Sequence, residues 1–148
     1  KITPGYNLPC KYVLHTVGPI ISGPLSKKDC ELLAGCYRSC LELAAANEVH
    51  SLAFCCISTG VFRFPKEKAA EIAVETVTEF LEKDETIRQV IFRKVSLFIK
   101  DYWRGKKKTY VFSSAMFLLT AAEKRSFRLR EKLCRLYIFC GNQEGNPL

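Results

Sequence analysis

Strand and helix patterns alternate along the chain, and this alternation constrains the fold more than any other feature of the sequence. Lys11–Val17 is rich in β-branched and aromatic residues and is followed by a Gly-Pro step, which predicts a strand. Ser51–Ile57 is almost continuously apolar, which is typical of a strand buried on both faces, and Ile87–Phe92 predicts a third strand. Apolar residues at helical spacing up to about Asn47, and again over Lys66–Lys83, predict two helices between these strands.

The order strand, helix, strand, helix, strand predicts an α/β fold with a mixed sheet in which adjacent strands are mostly parallel. Right-handed crossovers place the helices on the faces of the sheet, and Ser26 or Asp29 is available to cap the first helix. In such folds ligands bind beyond the carboxyl ends of the strands, where loops lead into helices. The loop to inspect is therefore Ser58–Pro65, which follows the buried strand and reads STGVFRFP.

This loop has the chemistry of an anion site. Ser58 and Thr59 supply hydroxyl groups, and Gly60 allows a phosphate to approach the backbone because no Cβ intervenes. Pro65 suits a position at or near the start of the second helix, so the loop brings main-chain N–H groups to a helix N-terminus, where anions bind favourably.

Phe62 and Phe64 are available as an apolar wall for a sugar or a base. The alternative interpretation is an ordinary strand-to-helix turn that contains a glycine. The loop is not a P-loop, because no Gly-Lys-Ser/Thr sequence follows, and it lacks the dinucleotide fingerprint.

Charge divides the chain into two parts. Its 148 residues suit one domain, and 48% hydrophobic with 26% charged residues excludes a mainly disordered chain. No apolar run approaches the roughly 20 residues that a bilayer requires, so we expect no membrane association. Residues 1–92 carry 10 basic and 11 acidic side chains, whereas residues 93–148 carry 13 basic and 4 acidic ones. This shift predicts a boundary near Phe92–Lys94, followed by a basic tail of unknown structure.

The tail contains the run Lys106–Lys108, with Tyr102 and Trp103 nearby. Such a run is able to contact nucleic-acid phosphates, with stacking from the aromatic rings. A solvated charged face is the usual meaning of this pattern, and we favour it.

The eight cysteines have the wrong spacing for a secreted disulfide scaffold. We expect reduced thiols and a cytoplasmic protein. Cys36 and Cys40 share a helix face and would suit a soft metal, but a small-residue stripe against the sheet is the favoured interpretation. Cys55 and Cys56 point to opposite faces of a strand, which favours packing. His15 is interpreted as a hydrogen-bonded core histidine, in preference to a base or a metal ligand.

Three segments resemble the macrodomain family: residues 2–19 (ITPGYNLPCKYVLHTVGP), residues 36–44 (CYRSCLELA) and residues 53–65 (AFCCISTGVFRFP). The resemblance covers residues 1–92 and is greatest to the microbial zinc-containing protein-ADP-ribose hydrolases. It implies a partial three-layer α/β/α fold that binds ADP-ribose or an ADP-ribosylated protein.

The resemblance also implies roles for the loop residues. Ser58–Phe62 would surround the diphosphate and the distal ribose, with phosphate oxygens held by the backbone N–H groups of Thr59, Gly60, Val61 and Phe62. The ring of Phe62 would lie against the distal ribose. The implied activity is removal of ADP-ribose from modified protein side chains; the alternatives are a binding module without turnover and, less favoured, a nucleic-acid-binding protein.

The family pattern begins well before Lys1, so we expect a fragment of a longer or rearranged protein. The family's first strands, its residue that contacts adenine, its Gly-rich phosphate loop and its zinc ligands have no counterpart here, so no catalytic or metal residue is assigned and weak or absent catalysis is expected. A sheet without those strands has an unpaired edge. We expect low solubility, oligomerisation, or tail residues that pack on the gap.

Overall fold

The structure is a computed structural model that describes residues 1–92 and the backbone of residues 136–141. It contains two helices and one five-stranded sheet. The strands are β1 (Ile2–Pro4), β2 (Tyr12–Thr16), β3 (Ser51–Phe54), β4 (Gln89–Phe92) and β5 (Leu136–Gly141), and the helices are α1 (Lys27–Ala45) and α2 (Lys66–Leu81). The predicted order of three strands and two intervening helices is confirmed as β2, α1, β3, α2 and β4.

Helix α1 begins with a capping box built from both residues that the sequence offers. The hydroxyl of Ser26 accepts a hydrogen bond from the backbone N–H of Asp29 at 3.2 Å, and the Asp29 carboxylate accepts one from the backbone N–H of Ser26 at 2.9 Å. The hydrogen bonds from Ser26 lower the pKa of Asp29. Two otherwise unpaired N–H groups are thereby satisfied, which fixes the start of the helix.

Both helices cover the same face of the sheet. The sheet order is β1-β2-β5-β3-β4, so the crossovers from β2 to β3 and from β3 to β4 progress in one direction. Two right-handed crossovers that progress in one direction place their helices on one face, and α1 and α2 contact each other there. Fully buried side chains from sheet and helices form the core: Leu14, Leu33, Tyr37, Leu41, Ala44, Leu52, Phe54, Val77 and Val90. The described residues thus supply two layers of the expected three-layer fold.

Strand β5 occupies the centre of the sheet. It pairs antiparallel with β2 on one side and with β3 on the other, and Phe139 is opposite Val13 in one pair and Ala53 in the other. Strands β2, β3 and β4 run in one direction, as expected for successive crossovers. Neighbouring strands are nevertheless mainly antiparallel, because β5 separates β2 from β3 and β1 is antiparallel to β2; only β3 and β4 pair in parallel. The sheet is mixed, and its pairing departs from the mostly parallel expectation for this reason.

Strand β5 comes from the basic part of the sequence, beyond the predicted boundary at Phe92–Lys94. Its position matches the expectation that tail residues fill a gap in the sheet. The run Lys106–Lys108 and its neighbouring aromatic residues lie outside the described residues. Neither described helix is apolar and long enough to cross a bilayer.

A proline in β5 should break the sheet. Phe139→Pro removes a main-chain donor from a strand that is paired on both sides, so one ladder hydrogen bond is lost at a cost of about 0.5–1.5 kcal/mol. We expect a lower midpoint in urea denaturation followed by circular dichroism. Gln143→Pro, beyond the end of the strand, serves as the control. Equal midpoints for the two variants would contradict the central position of β5.

Candidate functional site

The loop that follows β3 is folded back on itself by main-chain hydrogen bonds. The N–H of Phe64 donates to the carbonyl of Ser58 at 3.0 Å, and the N–H of Arg63 donates to the carbonyl of Gly60 at 3.0 Å. Ser58 and Arg63 both have positive φ values, 61° and 58°. A non-glycine residue in this region is strained and persists only where its surroundings hold it. The loop therefore has a defined conformation that its own main chain helps to fix.

The amides at the tip of this loop are available to a ligand. Within residues 1–92 and 136–141, the N–H groups of Thr59, Gly60, Val61 and Phe62 donate to no protein acceptor. A Cβ built on Gly60 would meet nothing within 4 Å, and the Val61 side chain is 77% exposed. The turn therefore offers several main-chain donors beside open space, as an anion site requires.

Helix α2 begins immediately after the loop. Pro65 is the N-cap residue, one position before the first helical residue, and it makes no side-chain capping bond. The positive end of the helix macrodipole is consequently not neutralised by a capping side chain at this position. The main-chain N–H groups of the loop and of the helix N-terminus present the same sign of partial charge, which favours an anion, although the first turn of α2 also contains the acidic residue Glu67.

A second segment, which follows β2, packs directly against the loop. The N–H of Ile21 donates to the carbonyl of Phe62 at 2.9 Å. A Cβ on Gly18 would lie 2.1 Å from the Oγ atom of Ser58 and 2.7 Å from a methyl carbon of Ile57. Real Cβ atoms do not approach that closely, so this contact requires glycine at position 18. The segment and the loop form the two walls of the candidate site.

The hydroxyl of Ser58 is buried between these walls. Ser58 is 3% exposed, and its Oγ atom has no hydrogen-bond partner among the described residues. A buried polar group without a partner costs about 1–3 kcal/mol. This local cost adds to the strain of the positive φ angle at the same residue.

Helix α1 contacts both walls through two adjacent residues. The thiol of Cys36 donates to the carbonyl of Val17 at 3.3 Å, and the hydroxyl of Tyr37 accepts from the N–H of Ile57 at 3.4 Å. Burial raises the pKa of Tyr37, so the phenol stays protonated. Val17 immediately precedes Gly18, and Ile57 immediately precedes Ser58. Each contact is therefore made next to one member of the closely packed pair.

The aromatic residues of the loop are less accessible than the sequence suggests. Phe64 is 2% exposed and belongs to the hydrophobic core, so it does not form the expected wall for a sugar or base. Phe62 is only 9% exposed. The large apolar residue that this loop exposes is Val61, at 77%.

The remaining sequence candidates lie elsewhere and have structural partners. The Nε2 atom of half-buried His15 is hydrogen-bonded to the hydroxyl of Thr3 at 2.9 Å. Burial, and secondarily the neighbouring Cys36, raise the pKa of Cys40 to about 12. Cys40 is therefore a protonated thiol at neutral pH, as packing requires. Among the described residues, no three His, Cys, Asp or Glu side chains cluster as metal ligands would, so these residues do not fit a zinc site.

A cavity of about 450 Å³ lies against the C-terminal half of α1. Its lining combines β2 residues such as His15 with α1 residues such as Ser39 and Glu42. None of the loop residues 58–62 contributes to it. The candidate anion site, which is formed by the loop and the segment after β2, is thus distinct from this cavity.

Comparisons with known proteins match the first part of the chain to macrodomain proteins. The family model described as Macro domain matches residues 1–73. A protein-ADP-ribose hydrolase of Treponema medium is 65% identical over 96 residues, which cover 65% of this chain and 37% of the relative. A protein-ADP-ribose hydrolase of Staphylococcus aureus is 56% identical over 93 residues, covering 62% of this chain and 35% of the relative.

A solved macrodomain of Trypanosoma brucei, in complex with ADP-ribose, superposes with a TM-score of 0.56 at 41% identity. The superposition covers 62% of this chain and 38% of that one. Residues 1–73 therefore match the macrodomain family. The chain spans about a third of the length of the curated hydrolases that it matches.

Two residues of the site have no functional assignment from sequence reasoning. Gly18 is interpreted only as the end of a strand, and Tyr37 only as part of a family segment. The available signal for Gly18 is its position at the carboxyl end of β2, where ligand sites are found. Its contact with Ser58 joins positions that are 40 residues apart in sequence, so local patterns do not reveal it.

Gly18→Ala should destabilise the protein by forcing the two walls apart. Overpacking of this kind costs about 1–3 kcal/mol, and we expect a lower midpoint of thermal unfolding. Gly23→Ala is the matched control, because a Cβ on Gly23 meets nothing within 4 Å. If both variants unfold at the wild-type temperature, the close contact between Gly18 and Ser58 is wrong.

Proposed function

We propose that the loop Ser58–Phe62 binds the diphosphate of ADP-ribose through its main-chain amides. The observation that carries the proposal is the set of N–H groups from Thr59 to Phe62, which donate to nothing else among the described residues. Several consecutive free donors on one loop suit a diphosphate, whose two phosphate groups present many acceptor oxygens. The ligand's identity is supported by the macrodomain family match and by the ADP-ribose bound to the Trypanosoma brucei relative.

The nucleoside and ribose would contact the apolar surface next to these amides. Val61 is exposed at the loop tip, and Val17 and Ile20 are exposed on the facing segment. Ligand sites typically combine an apolar lining with a few well-placed polar groups. These three side chains would cover the ribose, while the family-based role of the Phe62 ring requires that it become more accessible in the complex.

Hydrolysis of ADP-ribose from a modified protein is the activity proposed for the whole protein, on the strength of the names of its relatives. In that reaction water attacks the distal ribose carbon and the bond to the protein side chain breaks. The loop's contribution is to bind and orient the diphosphate, which places the ribose relative to the attacking water.

A binding module without turnover is the second candidate function for the described residues. The loop 55–65 contains no Asp, Glu or His side chain, so it supplies no general base for the water. The described residues also bring no metal-ligand cluster to the ribose. For the residues that the structure describes, these observations favour binding over catalysis. Free thiols at Cys30, Cys36 and Cys40 are in keeping with a reducing compartment such as the cytoplasm.

Gly60→Val should weaken ligand binding and leave the fold intact. The new side chain would project into the open space that the phosphate needs, and it meets no protein atom there within 4 Å of its Cβ. We expect ADP-ribose affinity, measured by isothermal calorimetry, to fall by at least about tenfold, or 1.4 kcal/mol. The thermal unfolding midpoint should stay at the wild-type value.

Gly23→Val is the matched control, since it places the same side chain in open space outside the loop residues 58–62. It should bind ADP-ribose like the wild type. Equal affinity of the Gly60→Val variant and the wild-type protein would show that the phosphate does not approach this loop.

The 148-residue chain should bind ADP-ribose but release little or none of it from a modified protein. The expected result is retention of label on an ADP-ribosylated protein, with or without added Zn²⁺, because the described residues offer neither a base at the loop nor a metal-ligand cluster. A full-length relative serves as the positive control. Zinc-dependent release by this chain would contradict the prediction.

A further inference from the structure

We propose that Cys36 and Tyr37 are positioning residues that hold the two walls of the anion site at a fixed separation. The proposal rests on the proposed function, because it assigns these residues to the ADP-ribose loop. They are adjacent on α1, yet each bonds to a different wall. Successive residues of an α-helix project about 100° apart, since 3.6 residues complete a turn, so one turn is able to reach both segments.

The first contact fixes the segment after β2. The S–H group of Cys36 donates to the carbonyl oxygen of Val17 at 3.3 Å. Val17 follows the last residue of β2 and immediately precedes Gly18. The contact therefore fixes the backbone just beyond the end of β2, one residue before Gly18 packs against Ser58 of the loop.

The second contact fixes the loop after β3. The Tyr37 hydroxyl accepts from the N–H of Ile57 at 3.4 Å, and the ring is 2% exposed. The ring also packs edge-on against Phe54 of β3, with centroids 5.0 Å apart. Burial of the phenol keeps its oxygen in one place, and Ile57 immediately precedes the strained, buried Ser58.

These two contacts determine how the walls meet. Gly18 and Ser58 are packed so closely that a Cβ has no room between them. The free amides of Thr59–Phe62 lie immediately beyond that contact. A small displacement of either wall would therefore move the donors relative to the phosphate, and displacements of about 1 Å have large effects on pre-organised sites.

The backbone of α1 sets the distance between the two contacts, because both come from consecutive residues. Loss of either contact should loosen one wall and leave the core in place. Tyr37→Phe removes the hydroxyl and keeps the ring that packs on Phe54. Cys36→Ala removes the thiol donor, and Cys36→Ser restores a donor with an O–H group.

The test compares ADP-ribose affinity by isothermal calorimetry in the complete 148-residue chain. We expect Tyr37→Phe to bind about tenfold more weakly and Cys36→Ala about threefold more weakly, within the range of one lost hydrogen bond. Cys36→Ser should recover most of the wild-type affinity. Tyr12→Phe and Cys30→Ala, which remove the same groups away from the walls, should bind like the wild type.

Amide hydrogen exchange followed by NMR provides a readout that does not need the ligand. Tyr37→Phe should accelerate exchange at Ile57 and Phe64, and Cys36→Ala should accelerate it at Ile21. The exchange rate of Val77, in the buried part of α2, should stay unchanged. A role in overall stability alone would accelerate all four amides together.

The two proposals fail in different ways. If the wild-type chain does not bind ADP-ribose, the proposed function is wrong, and local acceleration of exchange still supports the positioning role. If the wild type binds while Tyr37→Phe and Cys36→Ala retain both its affinity and its exchange rates, the positioning role is wrong. Uniform acceleration of exchange across the protein would also overturn it.

Discussion

The buried ring of Phe54 connects the core to the candidate site, and the remaining structure depends on its packing. It stacks on Phe92 of β4 at a centroid distance of 5.9 Å and receives the edge of Tyr37 from α1. One side chain thereby joins two strands and a helix at the end of the sheet where the loop begins. Ile57 and Ser58 follow within four residues, so the core sets the starting point of the loop.

Much of the fold and the position of the site were accessible from sequence, because both depend on local patterns. Apolar spacing predicts α1 and α2, and the apolar run through Phe54 predicts β3. The loop is found because Gly60 and Pro65 stand between a buried strand and a helix. The inward turn of Phe64 was missed, since it depends on the positive φ of Arg63, for which no glycine gives a local signal.

Long-range contacts explain what the sequence does not reveal. The approach of Gly18 to Ser58 depends on the relative placement of two segments that are distant in the chain. The insertion of β5 between β2 and β3 likewise depends on the whole sheet. The basic composition of the last third favours an interpretation as a separate tail, and a short apolar segment such as Leu136–Gly141 does not by itself indicate which strands it joins.

The placement of β5 constrains the order of events during translation. Strands β2 and β3 have both left the ribosome long before residues 136–141 are synthesised, yet these residues form the hydrogen bonds that connect them. Until then each strand exposes an unsatisfied backbone edge to the crowded cell, where other nascent polypeptides compete for it. Chaperone demand should therefore be greatest in the interval between synthesis of β4 and emergence of β5.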